Sequence, residues 1–540
     1  VKAFLKNISV IAKTYLLQAS ISLTTSDYSI VIPNVLASIK PWMLLSLGRI
    51  CRLAGASKDS CINQNNIHIF VHYMGYDERG ITKQMKNTTI EEIKEIRERQ
   101  REFFATGHTL SYEYRKDALI RLKAAVLKWE KPMSDALQTD LHKCYEESYM
   151  TEISIVLSEI DKHLKGLRRW MRPEKVASPL KMFPSRSRIV AEPLGRTFII
   201  APWNYPVHLL LVPLVGAISS GCTAVLKPSP YVPNVSKVIE TMISETFDAK
   251  YIAVAQGNRE VNSALLSFKW DIIFFTGSPK LGRVVMSEAA KNLTPVVLEL
   301  GGKSPCIVDR TADIKLAAKR IAWGKLLNAG QTCIAPDYLM IHRDVKDAFL
   351  EALKREFIGC LPPSPDSSRY FARIVNDAAF ERLSAYLKEG NVIFGGETDP
   401  ESRYISPTIL DEVPEGARVL EEEIFGPIFP VFTFDSLSQA IERVNAHPKP
   451  LALYYFGDEG DTVIARTSSG GCCINDCVMH IANENLPFGG VGESGMGSYH
   501  GKRTFDVFTH HRAVVTSRKH ADLPFRYMPY KWFDRVKKLM

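Results

Sequence analysis

Residues 88 to 129 place apolar and charged positions at helical spacing. The segment TTIEEIKEIRERQREFF begins at Thr88, carries glutamates near its start and repeats apolar residues every three or four positions. A threonine followed by acidic residues is typical of a helix N-terminus, because both interact with the free N–H groups there. A second helix is predicted from about Tyr112 to Trp129. The chain after residue 84 is therefore expected to open with helices.

Further along, the pattern changes to short apolar runs separated by helix-length segments such as His208 to Ser220 and Val235 to Phe247. The runs are RTFIIAPW, TAVLKPS, YIAVAQG, DIIFFTG and PVVLEL. Apolar strands that alternate with helices are typical of a parallel sheet covered on both faces. A second alternation follows Gly301 up to about Asn475. The predicted fold class is therefore α/β.

The carboxyl ends of the first set of strands carry candidate functional residues. Ligands of such sheets bind beyond these ends, where Asn204, Lys227, Gly277 and Glu299 fall. These four residues are therefore expected to share one edge of the sheet. The Pro-rich segment Leu361 to Ser368 is predicted to be a surface loop.

Residues 1 to 84 show no clear periodicity, and no domain is predicted there. Lys13 interrupts the first apolar stretch, and Lys40 with two prolines interrupts the stretch from Ile30 to Leu47. These interruptions argue against a signal peptide and a transmembrane span. Because helical patterning starts directly afterwards, the biological protein is expected to begin at Met85, with residues 1 to 84 an upstream in-frame translation.

Composition limits the partners of the chain. Its 540 residues are 46% hydrophobic, which predicts two or three domains. The net charge of +9 comes from scattered basic residues, so nucleic-acid binding is not expected. The 10 cysteines lack the spacing of a disulfide framework, which predicts free thiols and a cytoplasmic location. Cys472, Cys473 and Cys477 lie in a strand-like segment and are predicted to be buried structural cysteines, with no metal site.

The loop NAGQTCIAPDY, Asn328 to Tyr338, places one cysteine as a candidate nucleophile. Cys333 follows an Ala-Gly pair that allows close approach of the backbone, and it precedes Pro336, which stops regular structure. A lone cysteine in an intracellular protein is more often an inert apolar residue. The loop alone therefore does not decide between these two interpretations.

Five further motifs accompany this loop in a fixed order. They are APWNYP (Ala201 to Pro206), FFTGSPKLG (Phe274 to Gly282), LELGGKSP (Leu298 to Pro305), EEEIFGP (Glu421 to Pro427) and LPFGGVGESGMGSYHG (Leu486 to Gly501). Together with the cysteine loop they resemble the aldehyde dehydrogenase superfamily over essentially all of residues 85 to 520. The cysteine loop and PFGGVGESGMGSYHGKR are similar to the class 3 branch, which includes fatty aldehyde dehydrogenases.

The resemblance implies a Rossmann-type cofactor domain, an α/β catalytic domain and a small β oligomerisation arm. The implied segments are an NAD(P)-binding domain of residues 85–175 and 193–300, a catalytic domain of 301–478, an arm of 176–192 and 479–515, and a tail of 516–540. It also implies a homodimer joined by the arm from about Val176 to Glu192 and by the segment from Phe488 to Arg512. RSRIVAEP is expected to supply a strand of that arm.

The resemblance also implies a two-step reaction. Hydride can leave an aldehyde carbon once that carbon carries an oxyanion, and attack by a thiolate creates such a carbon. Cys333 would form the thiohemiacetal and then the thioester, the Asn204 amide and the Cys333 N–H would donate to the oxyanion, and Glu299 would activate water for hydrolysis. The simpler interpretations are a turn residue for Asn204 and a strand-end carboxylate for Glu299.

Seven residues are expected, from the same resemblance, to bind NAD or NADP: Trp203, Lys227, Gly277, Ser278, Gly282, Glu423 and Phe425. The turn after FFTG would support the pyrophosphate at a helix N-terminus. Lys227 would bond the adenosine ribose, while Glu423 and Phe425 would hold the nicotinamide ribose and ring. The alternatives are a solvated surface cation for Lys227 and a core aromatic residue for Phe425.

One position departs from the family pattern. Relatives commonly carry a glutamate three residues after the ribose-binding lysine, whereas this chain has Pro230. A glutamate there would accept from the ribose 2′-hydroxyl and repel a 2′-phosphate. Its absence predicts the use of both NAD and NADP.

The substrate and the C-terminal tail are less constrained by the sequence. Tyr205, Ile334 and the apolar segment His208 to Val215 favour medium or long aliphatic and aromatic aldehydes. The tail PYKWFDRVKKLM predicts a basic amphipathic helix with its apolar residues on one face: Trp532, Phe533, Val536, Leu539 and Met540. Two interpretations are open, which are weak contact with a membrane surface and docking near the substrate entrance or on a partner subunit.

Two alternative functions compete with aldehyde oxidation. A CoA-acylating relative would transfer the acyl group to CoA, and it would not need a base at Glu299. A non-catalytic scaffold or binding protein would not need the complete set of Asn204, Glu299 and Cys333. The presence of all three residues therefore favours the hydrolytic enzyme.

Overall fold

The computed structural model describes residues 87–179, 182–523 and 526–538. The expectations for residues 1 to 84, including a start at Met85, lie outside the described residues. Among the described helices, none combines the length and the apolar composition that crossing a membrane requires.

Helices and strands alternate along the described chain. The helices are α1 (Ile90–Ala105), α2 (Tyr112–Lys128), α3 (Glu130–Leu141), α4 (Tyr145–Ser148), α5 (Ser154–Trp170), α6 (His208–Ser220), α7 (Pro233–Thr246), α8 (Arg259–Ser267), α9 (Pro279–Ala290), α10 (Ile314–Leu326), α11 (Lys346–Cys360), α12 (Asp377–Tyr386), α13 (Arg418–Glu421), α14 (Leu437–Ala446), α15 (Gly460–Arg466), α16 (Lys502–Val507) and α17 (Phe533–Lys537). The strands are β1 (Glu174–Val176), β2 (Arg186–Pro193), β3 (Arg196–Ile200), β4 (Thr223–Lys227), β5 (Ile252–Val254), β6 (Ile272–Gly277), β7 (Val296–Leu300), β8 (Pro305–Val308), β9 (Tyr338–His342), β10 (Asn391–Phe394), β11 (Thr398–Asp399), β12 (Tyr404–Ile405), β13 (Thr408–Asp411), β14 (Ile428–Phe434), β15 (Ala452–Phe456), β16 (Gly471–Ile474), β17 (Gly495–Met496) and β18 (Thr509–Thr516).

The helical opening predicted from the sequence is confirmed. The Thr89 hydroxyl accepts from the Glu92 N–H at 3.1 Å, and the Glu92 carboxylate accepts from the Thr89 N–H at 2.7 Å. This reciprocal capping box satisfies N–H groups that would otherwise lack partners at the start of α1. Helix α2 runs from Tyr112 to Lys128, one residue short of the predicted end.

The first α/β unit is a six-stranded sheet of order β17-β7-β6-β3-β4-β5. Strands β3 to β7 are parallel, and only β17 is antiparallel. All residues of α6 are buried, so this helix forms part of the core on one face of the sheet. Ile200 pairs with Lys227 and Thr276 pairs with Glu299. The predicted sharing of one sheet edge is therefore confirmed, and so is the α/β fold class.

The second α/β unit is a seven-stranded sheet of order β10-β13-β14-β9-β8-β15-β16. Its strands are parallel apart from β10. Four residues, Gly301 to Ser304, connect β7 of the first sheet to β8 of the second. The cysteine loop connects α10 to β9. Glu299 and Cys333 thus come from segments that border the two sheets.

A third sheet has three antiparallel strands in the order β1-β2-β18. Strand β2 is the RSRIVAEP segment, and it pairs with β18 from Pro193 opposite Thr509 to Arg186 opposite Thr516. The strand expected in this segment is therefore present. The assignment of this sheet to a subunit interface stays a prediction, and so do the domain boundaries.

The tail differs from the predicted amphipathic helix. Helix α17 contains only five residues, and Trp532 lies outside it with a φ of +67°. The prediction of one helical face that includes Trp532 is wrong, because a left-handed residue interrupts the helix and so short a helix gains few hydrogen bonds. Trp532 and Phe533 are more than half exposed. Leu539 and Met540 lie outside the described residues.

Candidate active site

The cysteine loop begins with three consecutive residues in the left-handed region. The φ values of Asn328, Ala329 and Gly330 are +51°, +52° and +72°. A Cβ atom on Gly330 would lie 2.3 Å from the Gly426 carbonyl oxygen, so no larger residue fits without displacement. The close backbone approach predicted from the Ala-Gly pair is therefore present. It fixes the cysteine loop against the EIFGP motif.

Amide side chains hold the rest of the loop in place. The Gln331 side chain accepts from the Val375 N–H at 3.0 Å and donates to the Asn328 and Arg373 carbonyl oxygens, each at 3.0 Å. The Asn328 amide donates to the Asn204 carbonyl oxygen at 2.9 Å. Because these side chains are buried and hydrogen-bonded, the backbone around Cys333 is rigidly positioned.

Cys333 is half-buried and lines a cavity of about 520 Å³. Burial, together with the carboxylates of Glu423 and Glu299, raises the pKa of the Cys333 thiol to about 12. The backbone N–H groups of Cys333 and Ile334 oppose this shift. The side chain is therefore a neutral thiol at neutral pH, and the reactive thiolate requires removal of a proton.

Glu299 lies at the end of β7 and lines the same cavity as Cys333. It is 2% exposed, and neither carboxyl oxygen has a hydrogen-bond partner among the described residues. Burial raises the pKa of this carboxyl well above its usual value. A buried carboxyl without protein partners can exchange a proton with water or a ligand in the cavity.

Asn204 is also buried, in the segment that follows β3. Its amide nitrogen donates to the Gln331 carbonyl oxygen at 3.0 Å, which ties it to the cysteine loop. An amide nitrogen carries two hydrogens, so one remains for another acceptor. Asn204 is thus more than a turn residue, because it joins the WNYP motif to the loop that carries Cys333.

The two predicted substrate residues line the cavity as well. The Tyr205 hydroxyl lies 2.6 Å from the Thr332 hydroxyl, next to Cys333. Ile334 is buried, and its carbonyl oxygen accepts from the Tyr454 hydroxyl at 2.5 Å. Both residues therefore form walls of the cavity.

Lys227 ends β4 and is 1% exposed, so the alternative of a solvated surface cation is wrong. Its ammonium donates to the Pro228 carbonyl oxygen at 2.8 Å. Burial lowers the pKa of Lys227 to about 8. Because an ammonium carries three hydrogens and this one makes a single hydrogen bond to the described residues, it has donors left for a polar ligand.

The turn after β6 caps α9. Gly277 ends the strand, and the Ser278 hydroxyl accepts from the Leu281 N–H at 3.4 Å. Gly282 lies inside α9, where a Cβ atom would approach the Leu300 side chain to 2.6 Å, and its own N–H is bonded to the Ser278 carbonyl oxygen. Gly282 therefore allows close packing of the helix on β7 and leaves no free N–H for a ligand.

Glu423 and Phe425 lie beside this edge. The Glu423 carboxylate accepts from the Gly302 N–H at 3.2 Å, and a Cβ atom on Gly301 would lie 2.1 Å from it. Burial and Asp337 raise the pKa of Glu423 to about 8. Phe425 has a φ of +52° and packs edge-on against Trp203 with ring centroids 5.4 Å apart. Phe425 is only half-buried, so it is not a core aromatic residue, and a strained backbone is more typical of a binding site.

The order of the motifs and this arrangement match known proteins. The model of the aldehyde dehydrogenase family matches residues 75–514. This protein belongs to the aldehyde dehydrogenase family. It is therefore an oxidoreductase that acts on aldehydes.

Two relatives place this aldehyde dehydrogenase near class 3. The Staphylococcus aureus 4,4'-diaponeurosporen-aldehyde dehydrogenase is 47% identical over 438 residues, which cover 79% of this chain and 95% of that protein. Human aldehyde dehydrogenase family 3 member B1 is 45% identical over 420 residues, which cover 77% of this chain and 90% of that protein. The predicted class 3 resemblance is confirmed.

Solved structures support the fold and a nicotinamide cofactor in the family. The substrate-bound state of Staphylococcus aureus AldH has a TM-score of 0.81 at 44% identity, covering 83% of this chain and 99% of that chain. The P. syringae AldA indole-3-acetaldehyde dehydrogenase, solved with NAD+, has a TM-score of 0.74 at 26% identity, covering 80% and 90% of the two chains.

Sequence reasoning missed the residues that support the active site of this aldehyde dehydrogenase. Lys143 and Glu152 form an ion pair of 2.7 Å with both side chains fully buried. Lys143 also donates to the Asn204 carbonyl oxygen at 3.1 Å, and Glu152 accepts from the Val207 N–H at 2.8 Å. The pair fixes both ends of the segment that carries Asn204. Its sequence signal is weak, because charges nine residues apart in a helical region suggest a solvated surface.

Replacement of Lys143 by methionine is expected to destabilise the enzyme by about 3 to 5 kcal/mol, because the Glu152 carboxylate would stay buried without its partner. Denaturant unfolding monitored by tryptophan fluorescence would measure the change in midpoint. Lys131→Met is the matched control, since Lys131 pairs with Asp135 at 2.7 Å on the exposed surface. Equal midpoints for the two variants would contradict the supporting role of Lys143.

The cysteine cluster of this aldehyde dehydrogenase is separate from Cys333. Cys473 and Cys477 are buried, while Cys472 is half-buried. Cys473 lies 3.4 Å from the His480 ring nitrogen Nδ1. In the described part of the chain, no group of three or more histidine, cysteine or acidic residues has the arrangement of a metal site.

Proposed function

We propose that this enzyme oxidises medium or long-chain aliphatic and aromatic aldehydes to carboxylic acids, with NAD or NADP as the hydride acceptor. The proposal rests mainly on one observation: the Cys333 thiol and the unpartnered Glu299 carboxyl line the same cavity. One group can hold an acyl chain covalently, while the other can accept a proton from water. An NAD(P)H absorbance assay across aldehydes of increasing length tests the proposal, and its failure with every aldehyde would overturn it.

The Cys333 thiol first loses its proton to water in the cavity, and the sulfur then bonds to the aldehyde carbon, whose carbonyl oxygen becomes an oxyanion. NAD or NADP, when bound, would accept the hydride that leaves this carbon, so that Cys333 would hold the acyl group as a thioester. Glu299 then takes a proton from water as the water oxygen attacks the thioester carbon, and the carbon–sulfur bond breaks to release the acid. The oxidised atom is the aldehyde carbon, and the electron pair leaves as hydride.

Asn204 is proposed to donate its second amide hydrogen to the oxyanion. Asn204→Ala is expected to lower kcat by about 10²-fold, because a preorganised donor stabilises the transition state more than the ground state. Steady-state kinetics would measure the loss, and circular dichroism would check the fold. A raised KM with unchanged kcat would argue instead for a role in substrate binding alone.

The shape of the cavity supports an apolar substrate. Most of its walls are apolar side chains, among them Met150, Ile155, Leu209, Val212, Trp323 and Met479. Burial of each methylene group contributes about 0.8 kcal/mol, so longer chains should bind more tightly until the cavity is filled. The Staphylococcus aureus relative is named for 4,4'-diaponeurosporen-aldehyde, which supports an extended substrate.

The residues at the sheet edge fit a dinucleotide. The buried Lys227 ammonium has donors left for a ribose, α9 offers its N-terminus to a pyrophosphate, and Glu423 lies against Gly301 for the second ribose. Trp203 and Phe425 are proposed to hold the nicotinamide ring. NAD or NADP supplies the acceptor of hydride when bound.

Appreciable turnover with NADP is expected because Pro230 places no carboxylate next to the ribose site. Pro230→Glu is expected to lower kcat/KM for NADP by at least about tenfold, since a carboxylate would repel the 2′-phosphate. The ratio of kcat/KM values for the two cofactors measures this effect. Undetectable turnover of the native enzyme with NADP would contradict the prediction.

A CoA-acylating reaction is the alternative for the second step. The position of Glu299 in the wall of the cavity favours water as the acyl acceptor, because transfer to CoA does not need this base. Product analysis with and without CoA would distinguish free acid from acyl-CoA.

A homodimer and a cytoplasmic location are part of the proposal. The β1-β2-β18 sheet carries exposed apolar residues such as Val515, which supports its use as an arm against a partner subunit. Light scattering of the purified protein would give the subunit number, and fractionation would give the location.

A further inference from the structure

Besides Glu299, four polar side chains line the cavity and have atoms without partners among the described residues. These atoms are the hydroxyl of Thr276, which pairs with Glu299 in the strand register, the Tyr499 hydroxyl and the Nε2 nitrogens of His500 and His208. Tyr499, His500 and His208 are 0%, 5% and 2% exposed. Buried polar atoms are hydrogen-bonded in nearly all proteins, so each of these needs a partner from the cavity. An apolar chain of the substrate cannot provide one.

Tyr499 and His500 are neighbours in the wall of the cavity. Tyr499 is close enough to Glu299 and Cys333 for their charges to add to the effect of burial in raising its pKa. The Tyr499 and His500 ring centroids are 4.7 Å apart. The pKa of His500 is lowered by burial, against the influence of Glu159 and Glu484. Tyr499 and His500 therefore lie side by side in the wall that also contains Glu299 and Glu484.

His208 completes the group and lines the same cavity. Burial and the neighbouring His500 lower the pKa of His208 to about 3, so its ring is neutral. A neutral imidazole has one donor and one acceptor nitrogen, which suits it to a chain of water molecules. Lys143 lies close enough to lower the pKa further, and Glu159 opposes the shift.

Glu159 also lines the cavity, and its carboxylate is already engaged. This carboxylate accepts from the Gly501 N–H at 2.9 Å and from the Thr504 hydroxyl at 2.6 Å, and it lies 3.1 Å from the His163 ring. The His500 backbone N–H donates to the Thr504 hydroxyl at 2.8 Å, and the His500 ring stacks on Phe488 with centroids 5.4 Å apart. These contacts hold the His500 ring in the cavity wall.

We propose that Tyr499, His500 and His208 hold a file of water molecules that carries the proton of Glu299 to solvent at Glu484, a partly exposed residue of the same cavity wall. Hydrolysis of the thioester leaves the acid, the Cys333 thiolate and a Glu299 carboxyl that holds the proton taken from water. That proton passes to the first water of the file, and a proton leaves the last water to solvent, so charge and atoms balance. The inference rests on the proposed role of Glu299, and the three residues act on Glu299 through water.

Polar side chains surround Glu484. The Ser158 hydroxyl donates to Glu484 at 2.7 Å, and the Lys162 ammonium lies 3.3 Å from the same carboxylate. Ser158 and Glu484 both line the cavity. The file would thus end at a carboxylate that is half-buried and in reach of solvent.

Pre-steady-state kinetics of Tyr499→Phe and His208→Ala test the file. The first burst of NAD(P)H reports thioester formation, and the steady state reports its hydrolysis. We expect the burst to be retained while steady-state turnover falls by about tenfold or more, because slower proton release delays the regeneration of Glu299. We also expect a larger solvent deuterium isotope effect, and recovery of His208→Ala turnover on addition of imidazole.

His480→Phe is the matched control, because the His480 Nε2 is also buried without a partner but His480 does not line the cavity. Its turnover should be close to that of the native enzyme. Equal loss of burst and turnover in the two test variants would indicate a packing role, and unchanged turnover would show that no file is needed; either result overturns the inference. If Glu299→Gln turned over as fast as the native enzyme, the proposed function itself would be refuted.

Discussion

Replacement of Cys333 by alanine is expected to lower NAD(P)H formation by more than about 10⁴-fold, because no other group in the cavity can form the thioester. Glu299 lies in β7, while Cys333 lies in the loop between α10 and β9. Removal of the Cys333 sulfur should therefore leave the fold and the position of Glu299 unchanged. Intact mass after a brief exposure to aldehyde and cofactor should show an acyl adduct on the native enzyme and none on the variant. Persistent turnover in Cys333→Ala would overturn covalent catalysis.

Cys360→Ala is the matched control for this experiment. Cys360 is an exposed cysteine at the end of α11, outside the lining of the cavity. Its removal should leave both the adduct and turnover unchanged. Comparison of the two variants therefore shows whether the loss of activity is specific to the Cys333 thiol or follows the removal of any cysteine.

Replacement of Glu299 by glutamine is expected to lower steady-state turnover by about 10² to 10⁴-fold while the first burst of NAD(P)H persists. Glutamine keeps the shape of the side chain but cannot take a proton from water, so the acyl enzyme should accumulate. Rapid-quench mass spectrometry would detect that species. Loss of the burst along with turnover would show that Glu299 is needed before hydrolysis.

The pH dependence of the same step follows from the raised pKa of Glu299. Only the charged carboxylate accepts a proton, and burial makes this form scarce until the pH exceeds the raised pKa. Hydrolysis should therefore accelerate as pH rises and level off once Glu299 is ionised. Glu299→Gln should abolish this acceleration, whereas Glu493→Gln, at an exposed ion pair with Arg283, should retain it.

Local patterns predicted much of the fold because their causes are local. The Thr89 cap, the strand of RSRIVAEP and the bounds of α6 follow from side-chain hydrogen bonding and apolar spacing near each residue. The tail was less predictable, since nothing in the apolar pattern shows that Trp532 adopts a left-handed backbone.

The sequence predicted which residues form the active site, but it did not predict the contacts that hold them in place. The motifs indicated Asn204, Glu299 and Cys333, but the buried pair of Lys143 and Glu152 has no motif. The contacts that position the site join residues far apart in the chain, and only the folded chain brings them together. For the same reason, the sequence did not show whether Gly282 contacts the cofactor or allows α9 to pack on Leu300.

The high pKa of the Cys333 thiol also bears on the durability of the enzyme under oxidative stress. A thiol with so high a pKa stays protonated at pH 7, whereas peroxides attack the thiolate. The resting enzyme therefore exposes almost none of its reactive sulfur to peroxide.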